Sequence, residues 1–187
     1  MKCLVTGGAG FIGSHLVDRL VELGLEVTVL DNFSSGRREN LDHVAGKIRV
    51  VNCDLGAHGA WIREFNGAEW VFHLAALADI VPSIQKPDTY FNANVVGTFN
   101  AVRASEMAGV SRFVYVASSS SYGIPDTYPT AETADIRPQY PYALTKHIGE
   151  ELVMHWAQVY DLSALSLRFF NVYGPRSRTS GTYGAVF

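Results

Sequence analysis

The feature that most constrains this chain is its opening. A short apolar run, Lys2 to Thr6, breaks into Thr6-Gly7-Gly8-Ala9-Gly10-Phe11-Ile12-Gly13. A stretch over Phe11 to Leu23 follows, in which Ile12, Leu16, Leu20 and Leu23 recur at helical spacing. The turn satisfies both G-x-G-x-x-G (Gly8, Gly10, Gly13) and G-x-x-G-x-x-G (Gly7, Gly10, Gly13). Glycines there allow a tight turn, close approach of a pyrophosphate to the backbone and close packing of helix on strand, while the helix N-terminus offers free N–H groups and a positive dipole end. A glycine-rich turn alone can serve only left-handed backbone. Here strand and helix flank it, and Asp31 ends a second apolar run eighteen residues after Gly13, where a carboxylate can accept from ribose hydroxyls. A dinucleotide site is the expectation. The Asp31 charge would repel an additional ribose phosphate, which favours NAD over NADP, although Arg37 and Arg38 stand close enough to compensate.

The rest of the chain continues the same alternation. Strands are predicted over Lys2–Thr6, Glu26–Leu30, Ile48–Asn52, Trp70–Leu74, Arg112–Ala117 and Ser163–Phe169, and helices over Phe11–Leu23, Asp88–Ala108 and about Tyr140–Tyr160. Val71–Leu74 and Phe113–Ala117 are nearly continuously apolar, as strands covered on both faces must be. The order βαβα therefore predicts an α/β fold with a doubly wound parallel sheet. Tyr122 to Pro141 holds Pro125, Pro129, Pro138 and Pro141 with no apolar period, and reads as a long loop at the sheet's carboxyl edge. Ligands of such sheets bind at that edge.

Composition narrows the partners. With 187 residues, one domain is expected, and a formal charge of -3 gives no basic field for a nucleic-acid backbone. Cys3 and Cys53 lie in apolar runs and are expected as free thiols. The start lacks the pattern of a signal peptide and no apolar run is long enough to span a bilayer, so a soluble, cytoplasmic chain is expected.

Tyr142 and Lys146, at i and i+4 behind Pro141, share one helix face. A phenol has an ordinary pKa of about 10, and a nearby ammonium favours the phenolate, which would make Tyr142 a general base. Ser118, Ser119, Ser120 and Ser121 follow directly on the apolar strand ending at Ala117, so hydroxyls collect at the same sheet edge. One of them can bind a substrate oxygen while Tyr142 takes its proton. A Ser-His-Asp hydrolase finds no G-x-S-x-G elbow. His73, ending a buried-looking strand, reads as a satisfied core histidine, and no His or Cys pair has metal spacing, so no metal site is expected. Asp54, ending the third strand, suits either an adenine amino group or a solvated turn.

With these residues in place, the chain resembles the extended short-chain dehydrogenase/reductase family, and within it the nucleotide-sugar 4-epimerases acting on UDP-hexoses or UDP-hexuronates. The resemblance rests on Thr6 to Gly13, Leu30-Asp31-Asn32, Cys53-Asp54-Leu55, His73-Leu74-Ala75-Ala76, Asn94 to Thr98, Ser118 to Gly123, Pro141 to Lys146 and Leu167 to Pro175. It implies a Rossmann fold with NAD as cofactor. The implied cofactor residues are Gly7, Gly10, Phe11, Ile12 and Gly13 at the pyrophosphate; Asp31, Asn32, Ser35 and Gly36 around the adenosine ribose; and Asp54 and Leu55 at the adenine. Leu74, Ala75, Ala76, Asn94, Tyr142, Lys146 and Phe170 complete the set. It implies Ser118, Tyr142 and Lys146 as catalytic residues, and Ser118, Ser119, Tyr142 and Asn171 as contacts to a nucleotide-sugar substrate. It also implies a homodimer through the two long helices. Epimerisation at carbon 4 through a transient 4-keto sugar is the implied reaction.

The sister dehydratases carry an Asp-Glu pair where this chain has Ser119 and Ser120, and the decarboxylases usually a Glu in that stretch. A simple dehydrogenase or reductase needs only the triad and cofactor. Two departures stand out: Ala78 replaces a lysine found near the cofactor in some epimerases, and family members continue well beyond the point matching Phe187 to build much of the sugar pocket. Residues 1–175 are thus expected to form the NAD-binding domain with the triad, and 176–187 the start of a substrate segment largely missing here. Arg176, Arg178 and Ser180-Gly181-Thr182-Tyr183 resemble the start of a substrate loop, with an exposed basic tail as the plainer expectation. A module that binds NAD without turnover is the alternative.

Overall fold

The structure, a computed structural model, describes residues 1–177. Six strands, β1 (Lys2–Thr6), β2 (Glu26–Asp31), β3 (Ile48–Asn52), β4 (Trp70–His73), β5 (Arg112–Ser118) and β6 (Ala164–Phe169), form one parallel sheet in the order β3-β2-β1-β4-β5-β6. The order reverses between β1 and β4, and such a switch point opens a crevice at the carboxyl ends of the strands. The expected doubly wound parallel sheet is the one observed, with strand limits within a residue of those predicted.

Side chains alternate along each strand and feed two cores. On one face Cys3, Val5, Val27 and Val29 pack with Val17 and Leu20 of helix α1 (Phe11–Glu22). On the other, Leu4, Leu30, Val71, Phe113 and Tyr115 meet Ala101 and Val102 of helix α4 (Gly97–Met107) and Val153 of helix α5 (Pro141–Tyr160). Burial on both faces explains why these strands read as continuous apolar runs.

The helix predicted over Asp88–Ala108 is more complex. A short helix α2 (Ile80–Gln85) precedes it, then α3 (Pro87–Phe91), a π-helical turn (Asn92–Val96) and α4. The inward-facing residues explain the π turn: buried Tyr90 to buried Val95 is a step of five, which an i→i+5 turn keeps on one face, whereas Val95, the half-buried Phe99 and Val102 step by four and three. Cys3 and Cys53 are free thiols, as expected. Among the described residues no helix is long and apolar enough to cross a membrane.

Candidate active site

The glycine turn is shaped by a close approach. Gly7 has φ +71°, its N–H donates to the Leu30 carbonyl at 2.8 Å, and a Cβ there would lie 2.6 Å from the backbone nitrogen of Ala75. A Cβ on Gly13 would collide with the Gly7 carbonyl oxygen. Helix α1 has no side-chain cap and no acidic residue in its first turn among the described residues, and its first internal bond runs from Ser14 N–H to the Gly10 carbonyl at 3.0 Å. The amides of Phe11, Ile12 and Gly13 therefore stand outside the helix's own ladder, at the positive end of its dipole. A glycine-lined cradle with spare N–H groups fits a dinucleotide pyrophosphate.

Asp31 has a structural task that the sequence did not reveal. Its buried carboxylate accepts from Ala9 N–H at 2.9 Å and from Phe33 N–H at 2.8 Å, so it braces the glycine turn while keeping further lone pairs for a ribose. Gly36 lies against it: a Cβ there would be 3.0 Å from Asp31 Oδ1. Asn32 and Ser35 are exposed beside it, and Asn32 Oδ1 accepts from Ser34 N–H at 3.0 Å. Of the two arginines that stood near a possible extra phosphate, Arg38 stacks over the Phe33 ring at 4.1 Å and Arg37 gives its backbone N–H to Ala9. Asp54 is exposed and accepts from Gly56 N–H at 2.8 Å, the turn role among its two expected ones, while Leu55 is buried behind it.

Leu74, Ala75 and Ala76 form an irregular, half-buried segment after β4, adjoining Gly7. Asn94 holds the end of this segment. Its carbonyl oxygen accepts from Leu77 N–H at 2.8 Å, and its amide donates to Leu77 O and to Thr145 Oγ1, both at 3.0 Å. With its carboxamide engaged in this way, Asn94 joins the π turn to the cofactor-side loop and to α5. His73 is a satisfied core histidine, as read: it is bonded to Thr6 Oγ1 at 2.7 Å and Thr98 Oγ1 at 3.0 Å, and burial pushes its pKa down to about 3.

The structure brings Ser118, Tyr142 and Lys146 together. Ser118 ends β5, Tyr142 is the second residue of α5, and the Tyr142 backbone N–H donates to Ser83 Oγ of α2 at 3.1 Å. The Ser118 hydroxyl acts on the Tyr142 phenol and lowers its pKa. Lys146, one turn on, is buried, with its ammonium 4.4 Å over the Tyr115 ring. Ser119 is half-buried next to Ser118, and Phe170 and Asn171 stand exposed just past β6, with the Phe170 ring stacked 6.4 Å from Tyr122.

The charge state corrects one expectation. Lys146 was expected to favour the Tyr142 phenolate, yet burial raises the phenol's pKa; the Ser118 hydroxyl opposes this, and Tyr140 and Asp79 add to it. Lys146 is itself pushed by burial down to about 7, with Glu150 opposing, so near neutrality it is a weak source of positive charge. A stability test follows. Between about 7 and the ordinary lysine value of 10.5, the unfolded chain keeps a proton that the folded chain has lost, so rising pH favours folding. His73 acts in the same sense at lower pH, destabilising the fold as pH falls from 6.5 toward about 3. The melting temperature of the ligand-free chain should rise from about pH 7 to about pH 8, above which the thiols of Cys3 and Cys53, whose pKa values burial raises, oppose the rise, and Lys146→Met should flatten that slope. An equal slope in both proteins would exclude a depressed Lys146.

Two ionic networks were missed in the sequence. Glu150 accepts from Ser166 Oγ at 2.7 Å and from Arg168 Nε at 2.9 Å, and Arg168 Nη1 donates to the Tyr122 hydroxyl at 3.0 Å and the Glu132 carbonyl at 3.1 Å. This ties α5 to β6 and to the turn after Ser118. The second network corrects the expectation of an exposed basic tail: Arg176 is three-quarters buried and pairs with Asp18 of α1 at 2.7 Å, Asp18 also pairs with His43 at 2.8 Å, and His15 bonds the Pro175 carbonyl at 2.9 Å. The segment after β6 is thereby fastened along α1. Arg178 and Ser180 to Tyr183 lie outside the described residues.

Fold and site together define a dinucleotide-binding α/β domain with Ser118, Tyr142 and Lys146 at the carboxyl edge of its sheet. The model of the NAD dependent epimerase/dehydratase family matches residues 3–187. The chain belongs to that family, and its cofactor is NAD. It is 41% identical to the UDP-glucose 4-epimerase of Mycolicibacterium smegmatis, covering 100% of this chain and 61% of that protein. Among solved structures it is similar to UDP-glucose 4-epimerase from Thermotoga maritima with UDP-glucose (TM-score 0.93, 37% identity, 98% of this chain and 60% of that one). It is also similar to the Thermus thermophilus UDP-glucose 4-epimerase in complex with NAD (TM-score 0.90, 39% identity, 97% and 59%). The chain spans about 60% of the length of these relatives.

Proposed function

We propose that residues 1–175 are the cofactor-binding and catalytic part of an NAD-dependent nucleotide-sugar 4-epimerase, with 176–187 beginning the substrate segment. The observation carrying this reading is the meeting of Ser118, Tyr142 and Lys146 at the carboxyl edge of β5, across the switch point from the glycine cradle. When bound, NAD supplies a two-electron acceptor for the hydride at sugar carbon 4 and the means to return it, together with a cationic ring. Tyr142 takes the proton of the carbon-4 hydroxyl as the 4-keto sugar forms, and gives it back when hydride returns to the opposite face. Ser118 donates to the reacting oxygen, Lys146 holds the cofactor ribose beside Tyr142, and Asn171 meets the substrate diphosphate. Ser119 and Ser120 put hydroxyls where dehydration needs an acid and a base, which favours epimerisation. Free thiols and a nucleotide-sugar substrate suit a cytoplasmic setting.

The test is interconversion of UDP-glucose, UDP-N-acetylglucosamine and UDP-glucuronate with their 4-epimers by the NAD-loaded chain. Epimer formation without net NADH is expected. Accumulating NADH would indicate a dehydrogenase, and bound NAD with no turnover would indicate a module that holds the cofactor only.

We further propose a homodimer through α5 and the α3–α4 helix. Phe91, Leu144, Met154 and Met107 are large apolar side chains exposed on these helices, and Phe91, Tyr140, Pro141 and Leu144 help line a cleft of about 460 Å³ between them. Sedimentation should give a dimer, with Leu144→Glu shifting it toward monomer. A wild-type monomer at all concentrations would refute the pairing.

A further inference from the structure

Lys146 is a buried side chain whose ammonium makes no ion pair among the described residues. The carboxylate one turn further along α5, Glu150, is already engaged: it accepts from Arg168 Nε of β6 at 2.9 Å and from Ser166 Oγ at 2.7 Å. His73 of β4 and Tyr142, one turn back on α5, carry no charge near pH 7, because burial pushes the first down and the second up. What meets the ammonium is a ring. Tyr115, in the middle of β5 and fully buried, has its ring centroid 4.4 Å from Lys146 Nζ, within the range of a cation–π contact. Two further contacts fix that ring against α5. The Tyr115 hydroxyl donates to the Lys146 carbonyl at 3.1 Å, and Gly149 leaves room for it, since a Cβ at Gly149 would collide with Tyr115 Oη.

We propose that Tyr115 is a positioning residue for Lys146: its ring face takes the place of a carboxylate, holding the ammonium charged and in place one turn from Tyr142. The inference rests on the reading of Lys146 as the residue that holds the cofactor ribose beside Tyr142. A carboxylate in that place would bring a full negative charge beside the phenol and oppose its ionisation, whereas a ring face stabilises the ammonium without adding one. The hydroxyl has a separate task, which is to seat the ring on the Lys146 carbonyl and the Gly149 opening.

The test is to weaken the ring face while keeping its shape. Tyr115→Phe is compared with the same protein carrying 3,4,5-trifluorophenylalanine at position 115, in which fluorine withdraws most of the negative charge from the face. The readout is the titration of the Lys146 side-chain methylene next to the ammonium, followed by NMR in the ligand-free chain and assigned by its absence from Lys146→Met. Glu150 and His73, the ionisable groups acting on or acted on by this ammonium, are common to both proteins. Loss of a cation–π contact is a factor of about 2–30, so Lys146 should titrate about 0.4–1.5 pH units lower in the fluorinated protein. 3-Fluorotyrosine at position 115 keeps the hydroxyl on the Lys146 carbonyl and covers the case in which Tyr115→Phe fails to fold; it should shift the titration in the same direction by a smaller step. Coincident titrations, or a shift to higher pH on fluorination, would overturn the proposal, because a ring that serves only as packing keeps its effect when its charge distribution is changed. In the epimerisation assay the upper pH limb of kcat should move down by the same step. The titration needs no turnover: a fluorine-dependent shift in a chain that epimerises no sugar nucleotide would uphold Tyr115 and sink the proposed reaction, and turnover with coincident titrations would do the reverse.

Discussion

Tyr142→Phe should lower epimerisation by about 10³-fold while leaving NAD binding and the melting temperature close to wild type. The rate term follows from the role: a positioned acid–base group contributes about 10²–10⁴, and phenylalanine keeps the ring while removing the only atom that can carry the proton. Ser118 is no substitute, because a hydroxyl can hydrogen-bond the reacting oxygen but cannot hold its proton at neutral pH. Stability should change little because two effects offset. The buried phenol loses its interaction with Ser118, and the cost of burying a polar group disappears with it. The helix start is held by the Tyr142 backbone N–H on Ser83, which the substitution leaves intact. Turnover measured at saturating sugar nucleotide, alongside NAD affinity and a thermal melt, separates these terms. A Tyr142→Phe protein retaining a tenth or more of the rate would remove Tyr142 from the chemistry.

The residues that could be read from sequence are those whose chemistry is local. The glycine turn, Asp31 at the end of the strand that follows its helix, and Tyr142 with Lys146 one turn apart are each set by neighbouring elements, so their spacing fixes their geometry. The sheet was legible for the same reason, since strands buried on both faces stay apolar throughout. What was not legible depends on topology. Glu150 and Arg168 meet because β6 lies beside β5 under α5, and Asp18 and Arg176 are 158 residues apart. Local spacing also misled once. It placed Lys146 beside Tyr142 but could not tell that both would be buried, and burial sets the direction of both shifts. The π turn was visible in principle, as a five-residue step from Tyr90 to Val95 within an otherwise three-and-four pattern.

Gly7→Ala should abolish detectable NAD binding and destabilise the fold by about 3–5 kcal/mol, roughly two to three times the effect of Gly24→Ala. The two glycines make a controlled pair. Gly24 sits at φ +73° and Gly7 at φ +71°, so each substitution incurs the same left-handed backbone cost of about 1–2 kcal/mol. Their surroundings differ: a Cβ on Gly24 meets nothing within 4 Å, whereas one on Gly7 lies 2.6 Å from Ala75 N and 2.8 Å from Leu74 C. These are backbone atoms, which a rotamer change cannot move. Relief requires the Gly7 turn and the Leu74–Ala76 segment to separate, and those are the two walls between which the dinucleotide is expected. The shift would carry into Gly13, whose own missing side chain lets α1 start against the Gly7 carbonyl, so the free amides at the helix start would lose their aim. Urea unfolding of both variants and NAD titration of each give the comparison. Equal destabilisation would mean that only the left-handed backbone demands glycine at position 7. A large difference in stability accompanied by intact NAD affinity would separate the close approach from the cofactor cradle.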